Sequence, residues 1–208
     1  MRKLIIATRN RHKTVEMAAM LGPEWMVEDL TGRRELPEPE ENGGTFEENA
    51  VVKAVAASRA LKGLVLADDS GLEVDVLDGA PGIRSARYAG LNATDKENRD
   101  RLLEELAGLN HAAEEPMTAR FRCAMAVAEE GKELGTFCGR VEGRIVLAEA
   151  GTGGFGYDPL FIPDGYSQTF AELDAGTKNR LSHRARAIEQ VMAWLETRYG
   201  GAGSGWGR

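Results

Sequence analysis

Cysteine is scarce: Cys123 and Cys138 are the only two in 208 residues. Two thiols are too few for a disulfide-stapled fold. Lacking CxxC spacing and a neighbouring histidine, they do not suggest a metal or redox pair. The expectation is two buried thiols facing each other across a hairpin in a reducing compartment. Long apolar runs are also missing. Nothing approaches the ~20 residues of a membrane helix. The opening stretch, Met1 to Arg9, lacks the apolar core of roughly 7–15 residues that a secretory leader carries. The expected setting is therefore cytoplasmic, with no membrane partner. Positive charge is in the minority, with 26 Lys+Arg against 33 Asp+Glu and a net charge of -7. That excludes the broad basic surface needed to hold a nucleic-acid polymer.

Glycine is abundant, 25 of 208 residues, where usage near 7% is ordinary. Glycine serves where a backbone turns sharply or approaches something closely. Hydrophobic residues make up 42% of the chain, enough for a single core at this length. Residues 1–199 read as one two-lobed domain, and 200–208 as a Gly/Ser-rich tail expected to be disordered.

Periodicity predicts a strand over Lys3 to Thr8, a helix over 11–21 stopped by Gly22-Pro23, and a strand from Trp25 to Leu30. A Pro/Gly/Glu-rich loop fills 31–44. Thr45-Phe46-Glu47-Glu48 and Thr94-Asp95-Lys96-Glu97 spell capping boxes that open helices to about Lys62 and Ala107. Between them, 64–67 reads as a buried strand, followed by a turn at Asp68-Asp69-Ser70-Gly71 and an alternating strand over Leu72, Val74 and Val76. Residues 118–129 and 133–142 form a hairpin around Glu130-Gly131. A further strand follows at 143–148, and Ser182 caps a last helix to about Tyr199. Helices alternate with strands early and strands run consecutively later. The fold class is therefore α/β with a mixed sheet.

Charge is segregated. Residues 1–13 and 176–188 hold bases and no acid, whereas 35–48 holds six glutamates and no base. Each run alone is a plausible solvated face. Together, two basic clusters suit a phosphate chain and the acidic loop suits its Mg²⁺. Four constellations carry chemistry. Thr8-Arg9-Asn10-Arg11-His12-Lys13 lies between a strand and a helix, where backbone N–H groups and a helix N-terminus favour a triphosphate. It is no Walker A loop, and Asn10 serves equally as a plain helix cap. Asp68-Asp69-Ser70-Gly71 ends a buried strand, and its carboxylates suit Mg²⁺, or one metal ligand and one general base. Gly151 to Gly156 matches GxGxxG but fails the dinucleotide reading, because Asp158-Pro159 disfavours the required helix. Its glycines would let backbone approach a flat ligand on which Phe155 or Tyr157 stacks. Lys178, Ser182, His183 and Arg184 offer a capped helix start with donors for a base or phosphate.

These segments, with Pro81-Gly82-Ile83 and Ser85-Ala86-Arg87-Tyr88, stand in the order and spacing of one family. The chain resembles the non-canonical purine nucleoside triphosphate pyrophosphatases, the Ham1 or inosine triphosphatase family, from residue 1 to about 195. The resemblance implies an elongated central mixed sheet flanked by helices, with a cleft between two lobes. It implies Mg²⁺-dependent hydrolysis of ITP, dITP and XTP to monophosphate and pyrophosphate, and a homodimer. On that basis Asp69 is expected to be general base and metal ligand, with Glu41 as second ligand ahead of Glu38 and Glu40. Thr8 to Lys13 would bind the phosphate chain, Lys53 more weakly, and Ser70 is expected to contact the substrate. Phe155, Gly156, Tyr157, Asp158, Lys178, His183 and Arg184 would hold the base. A pyrophosphatase for modified pyrimidines and a nucleotide-binding module without catalysis are the rival readings.

Overall fold

The computed structural model describes residues 2–33, 36, 39–109 and 115–199. The tail at 200–208 lies outside them, as does Glu38. Among the described residues, six strands form one sheet in the order β2-β1-β3-β4-β5-β6. They are β1 (Arg2–Ile6), β2 (Trp25–Glu28), β3 (Val65–Val74), β4 (Met117–Glu129), β5 (Lys132–Ile145) and β6 (Phe161–Pro163). β1 pairs in parallel with β2 and β3, and the remaining pairings are antiparallel. The helices are α1 (Arg11–Leu21), α2 (Phe46–Ala60), α3 (Asp95–Ala107), α4 (Ala175–Leu181) and α5 (His183–Tyr199). Among the described residues, no helix is long and apolar enough to cross a membrane.

Alternation along β3 and β4 decides what packs where. Leu66, Cys123, Met125 and Val127 share a core with Met17 and Leu21 of α1 and Ile188, Val191 and Leu195 of α5. The opposite face presents Val65, Ala67, Ala124, Ala126 and Ala128 to Phe46, Ala50 and Ala54 of α2. Alanine on both sides lets α2 lie close to the sheet. At the other end, Leu72, Val74, Phe121 and Val141 pack with Leu102 and Leu106 of α3 and with Leu160, Phe161 and Phe170.

Several expectations change. β3 runs unbroken through Asp68-Asp69-Ser70-Gly71, paired residue by residue with β4. Gly71 is there for close approach rather than for a turn. A Cβ on it would lie 2.4 Å from both the Gly82 carbonyl oxygen and Ser85 Oγ. Of the strand expected at 143–148, only 143–145 are extended, as the end of β5 that pairs with β6, and 146–148 are not strand. β6 and α4 escaped the sequence reading, being three and seven residues long. The capping box at Thr94 is complete. At Thr45 the hydroxyl accepts the Glu48 N–H, but the Glu48 carboxylate accepts from Gly44 instead of Thr45. The cysteines do not face each other. Cys123 lies opposite Gly139, and Cys138 opposite Ala124. A one-residue offset puts them on opposite faces, so Cys123 is buried and Cys138 exposed.

Candidate active site

The parallel strip ends where β1 stops pairing with β3, at Ile6 and Leu66. Beyond that point β3 continues alone beside β4, and after Ala67 come Asp68 and Asp69. A carboxyl end of this kind is where open α/β sheets bind ligands. As strand neighbours, the two carboxylates point to opposite faces.

Asp68 faces α1 and α5. Its Oδ2 lies 2.8 Å from Lys13 Nζ and 3.6 Å from Arg184 Nη2, and accepts from Ser70 Oγ at 3.2 Å. Burial alone would raise its pKa, but Lys13, Arg184 and Lys53 outweigh that and hold the carboxyl well below the usual range. Asp69 faces α2. It accepts from Asn49 Nδ2 at 3.2 Å and from Lys53 Nζ at 2.9 Å. Here burial prevails and pushes the carboxyl upward despite Lys53. Burial and neighbouring charge thus drive the two adjacent acids apart in proton affinity, Asp68 downward and Asp69 upward.

Lys53 also meets Glu41 at 3.0 Å, and Glu41 meets Arg87 Nη1 at 2.9 Å. Glu41 is held below the usual range because Lys53 and Arg87 overcome its burial. Lys53 therefore sits between Glu41 and Asp69, showing that these two hard oxygen donors can share one cation. Among the described residues no three metal-binding side chains are clustered. A two-carboxylate set fits Mg²⁺, which takes few protein ligands and completes its shell with phosphate and water. Glu40 instead accepts from Asn42 at 2.9 Å.

At the other end of the cleft, Lys178 Nζ contacts Glu16 at 2.7 Å and Asp158 at 2.6 Å. Arg184 contacts Glu16 at 2.6 Å and Ser70 Oγ at 3.0 Å. Both cations lie over the Phe155 ring, at 5.0 and 5.6 Å from its centroid. Asp158 is pushed upward by burial, against the pull of Lys178. His183 is buried and stacks on Phe121 at 4.9 Å. Burial, then the Arg184 and Lys178 charges, lower its pKa well below the usual value, so the ring is neutral at pH 7. Its Nδ1 is buried without a hydrogen-bond partner.

The cleft has a small inner part of about 160 Å³ and a wide outer part of about 720 Å³. The inner part is lined by Asn10, Lys13, Glu41, Lys53, Asp69, Ser70, Phe155, Gly156, Tyr157, Asp158, Lys178, His183 and Arg184. Thr8 and Arg9 line the outer part. Arg11 does not reach it: with His12 it lines a separate surface hollow beside Phe155. The expected backbone cradle is also altered. Asn10 Oδ1 already accepts the N–H groups of His12 and Lys13, so Asn10 acts as the helix cap. Arg9 donates to the carbonyls of Arg33 and Leu36. Tyr157 is buried with its hydroxyl on the Ser85 carbonyl at 2.9 Å, whereas the Phe155 ring stacks on His12 with centroids 5.5 Å apart. The loop glycines mostly approach protein. A Cβ on Gly151 would lie 2.4 Å from the Ala171 backbone, and one on Gly154 2.0 Å from Asp158 Oδ2.

Sequence reasoning missed Glu16, Asn49 and Arg87. Glu16 follows Lys13 by three positions, the spacing that shares a helix face. Arg87 sits inside the quoted Ser85-Ala86-Arg87-Tyr88 segment. Asn49 follows directly on the Thr45-Phe46-Glu47-Glu48 segment that opens α2.

A buried carboxylate thus shares the cleft with a group of cations and a ring flanked by donors. The chain as a whole is similar to known proteins. The dITP/XTP pyrophosphatase of Bacillus licheniformis is 48% identical over 197 residues, covering 94% of this chain and 99% of that protein. The Ham1 protein of Staphylococcus aureus superposes with a TM-score of 0.81 at 38% identity, covering 95% of this chain and all of that one. A HAM1 protein from Coxiella burnetii gives 0.82 at 39% identity, with 95% of this chain and 100% of that chain covered. The model of the Ham1 family matches residues 4–194, and with that span carrying every residue of the cleft, this chain belongs to the Ham1 family.

Proposed function

We propose that the cleft hydrolyses purine nucleoside triphosphates bearing a 6-oxygen, such as dITP, ITP and XTP, to the monophosphate and pyrophosphate. The observation that carries this reading is Asp69: buried, raised in pKa and held by Asn49 and Lys53 between the two ends of the cleft. The name dITP/XTP pyrophosphatase, borne by the Bacillus licheniformis relative, supports it. Lys13, Lys53 and Arg87 supply positive charge for the phosphates, and Asp69 takes a proton from the attacking water. Mg²⁺, held by Glu41 and Asp69, would neutralise phosphate charge and polarise the phosphorus. Binding a polyanion gives each of these lysines an alternative to its present carboxylate. Phe155 supplies a stacking face, and Lys178 and neutral His183 supply polar groups for the base edge. Donors there match a 6-oxygen, whereas adenine's amine would leave them unpaired, at a cost of about 1–3 kcal/mol each. A homodimer and a cytoplasmic role in clearing deaminated purines belong to the same reading, supported by family membership.

The test is incubation with Mg²⁺ and ITP, XTP, GTP, ATP or dCTP, followed by product identification. Inosine or xanthine monophosphate with pyrophosphate is expected. Orthophosphate, or no preference for ITP and XTP, would overturn the reading. Asp69→Asn should lower kcat by about 10²–10⁴.

A further inference from the structure

Phe155 can serve as a stacking platform only if its loop is held still, yet the next residue is Gly156. That glycine has φ +60°, and a Cβ built on it meets nothing within 4 Å. Such a position is intrinsically mobile. The structure fixes it from outside the loop. Asp95 Oδ2 accepts the Gly156 N–H at 2.7 Å, and Arg99 Nη1 donates to the Gly156 carbonyl at 2.8 Å. Both residues project from the first turns of α3, four apart, so they share one face. Arg99 is in turn held by Glu149 at 2.9 Å through Nε, and its side chain is 13% exposed. Both polar groups of a single residue are therefore gripped by an acid and a base. On either side, the Phe155 N–H is bound by Asp158, and the Tyr157 hydroxyl by the Ser85 carbonyl.

From this geometry we infer that Asp95 and Arg99 are positioning residues that set the orientation of the Phe155 ring, and so the affinity for the purine base. The inference rests on the proposed function and adds to it two residues of α3, of which Asp95 lines the inner part of the cleft and Arg99 stands behind it. A pre-set platform strengthens binding by removing the ordering cost on association. Since Phe155 stacks on the base and not on the phosphates, loss of the clasp should raise KM and leave kcat unchanged.

The experiment compares wild type, Asp95→Ala, Asp95→Asn and Arg99→Met in ITP and XTP hydrolysis. Inosine monophosphate and inorganic pyrophosphate binding are measured by calorimetry. Loss of a charge-assisted hydrogen bond predicts a KM rise of about tenfold for Asp95→Ala and Arg99→Met. Their kcat should stay within twofold, and pyrophosphate affinity should not change. Asp95→Asn keeps an acceptor oxygen and should behave close to wild type, which also separates the clasp from the helix-terminal charge. Unchanged KM and unchanged inosine monophosphate affinity in folded Asp95→Ala and Arg99→Met would overturn the inference, as would a fall in kcat at constant KM. If wild type binds inosine monophosphate but hydrolyses none of the triphosphates, the proposed function fails and the clasp is judged on monophosphate affinity alone.

Discussion

Replacing Asp68 by asparagine keeps the shape and an acceptor oxygen but removes the charge that Lys13 and Arg184 share. Two effects compete. Removing one partner of a buried ion pair costs about 3–5 kcal/mol. Removing one of two adjacent acids relieves repulsion. The second effect is small here, because Asp68 and Asp69 point to opposite faces of β3. Lys13, Arg184 and Lys53 pull on Asp68, whereas Glu41 is the neighbouring acid that raises Asp69. Lys13 lies at the rim of the cleft, 17% exposed, and can turn to water, and Arg184 retains Glu16. The lower end is therefore expected, about 3 kcal/mol out of a usual 5–15. At this chain length that is a fall in Tm of about 6–12 °C. Urea unfolding followed through tryptophan fluorescence, to which buried Trp25 contributes, measures it. An unchanged m-value with a lower midpoint is expected. A loss below about 1 kcal/mol would mean the charge is balanced by solvent. A gain would mean that repulsion from Asp69 dominates.

Gly71→Ala should destabilise by about 1–3 kcal/mol through overpacking, because the new methyl would lie 2.4 Å from two atoms of the 82–85 segment. Ser85→Ala in the same background, which removes one of those atoms, should recover part of the loss in a double-mutant cycle. His183 gives a pH signature. Its folded pKa is depressed, so its contribution is present above the unfolded value near 6.5 and is lost as pH falls, because only the unfolded chain takes up the proton. The stability difference between wild type and His183→Gln should shrink by about 1.4 kcal/mol between about pH 7.5 and 5.5. A constant difference would mean that the folded imidazole titrates normally.

Which parts of the molecule were legible follows from how local each signal is. Periodicity sufficed for α1, α2, α3, α5 and the β4–β5 hairpin, since each carries many turns or alternations. Glu130 and Gly131 both have positive φ, matching the hairpin turn expected there. The β3 misreading came from taking Asp68-Asp69-Ser70-Gly71 as turn chemistry. Ten residues of pairing with β4 override that local preference, and the glycine answers a steric contact with Gly82 and Ser85 that no local pattern records. The cysteine expectation failed for a similar reason, because a one-residue register offset is invisible in composition. Among site residues, the segments around Lys13, Asp69, Phe155 and Arg184 were readable as clusters of polar types beside glycine or a helix start. Glu16, Asn49 and the Asp95–Arg99 pair were not, because their roles exist only once α1, α2 and α3 have packed around β3 and the glycine loop.

In the proposed reaction, water activated by Asp69 attacks the phosphorus nearest the nucleoside. Single-turnover hydrolysis of ITP in oxygen-18 water, with both products examined by mass spectrometry, tests it directly. The label is expected in inosine monophosphate, with none in pyrophosphate. Label in pyrophosphate, or turnover of Asp69→Asn at the wild-type rate, would contradict it.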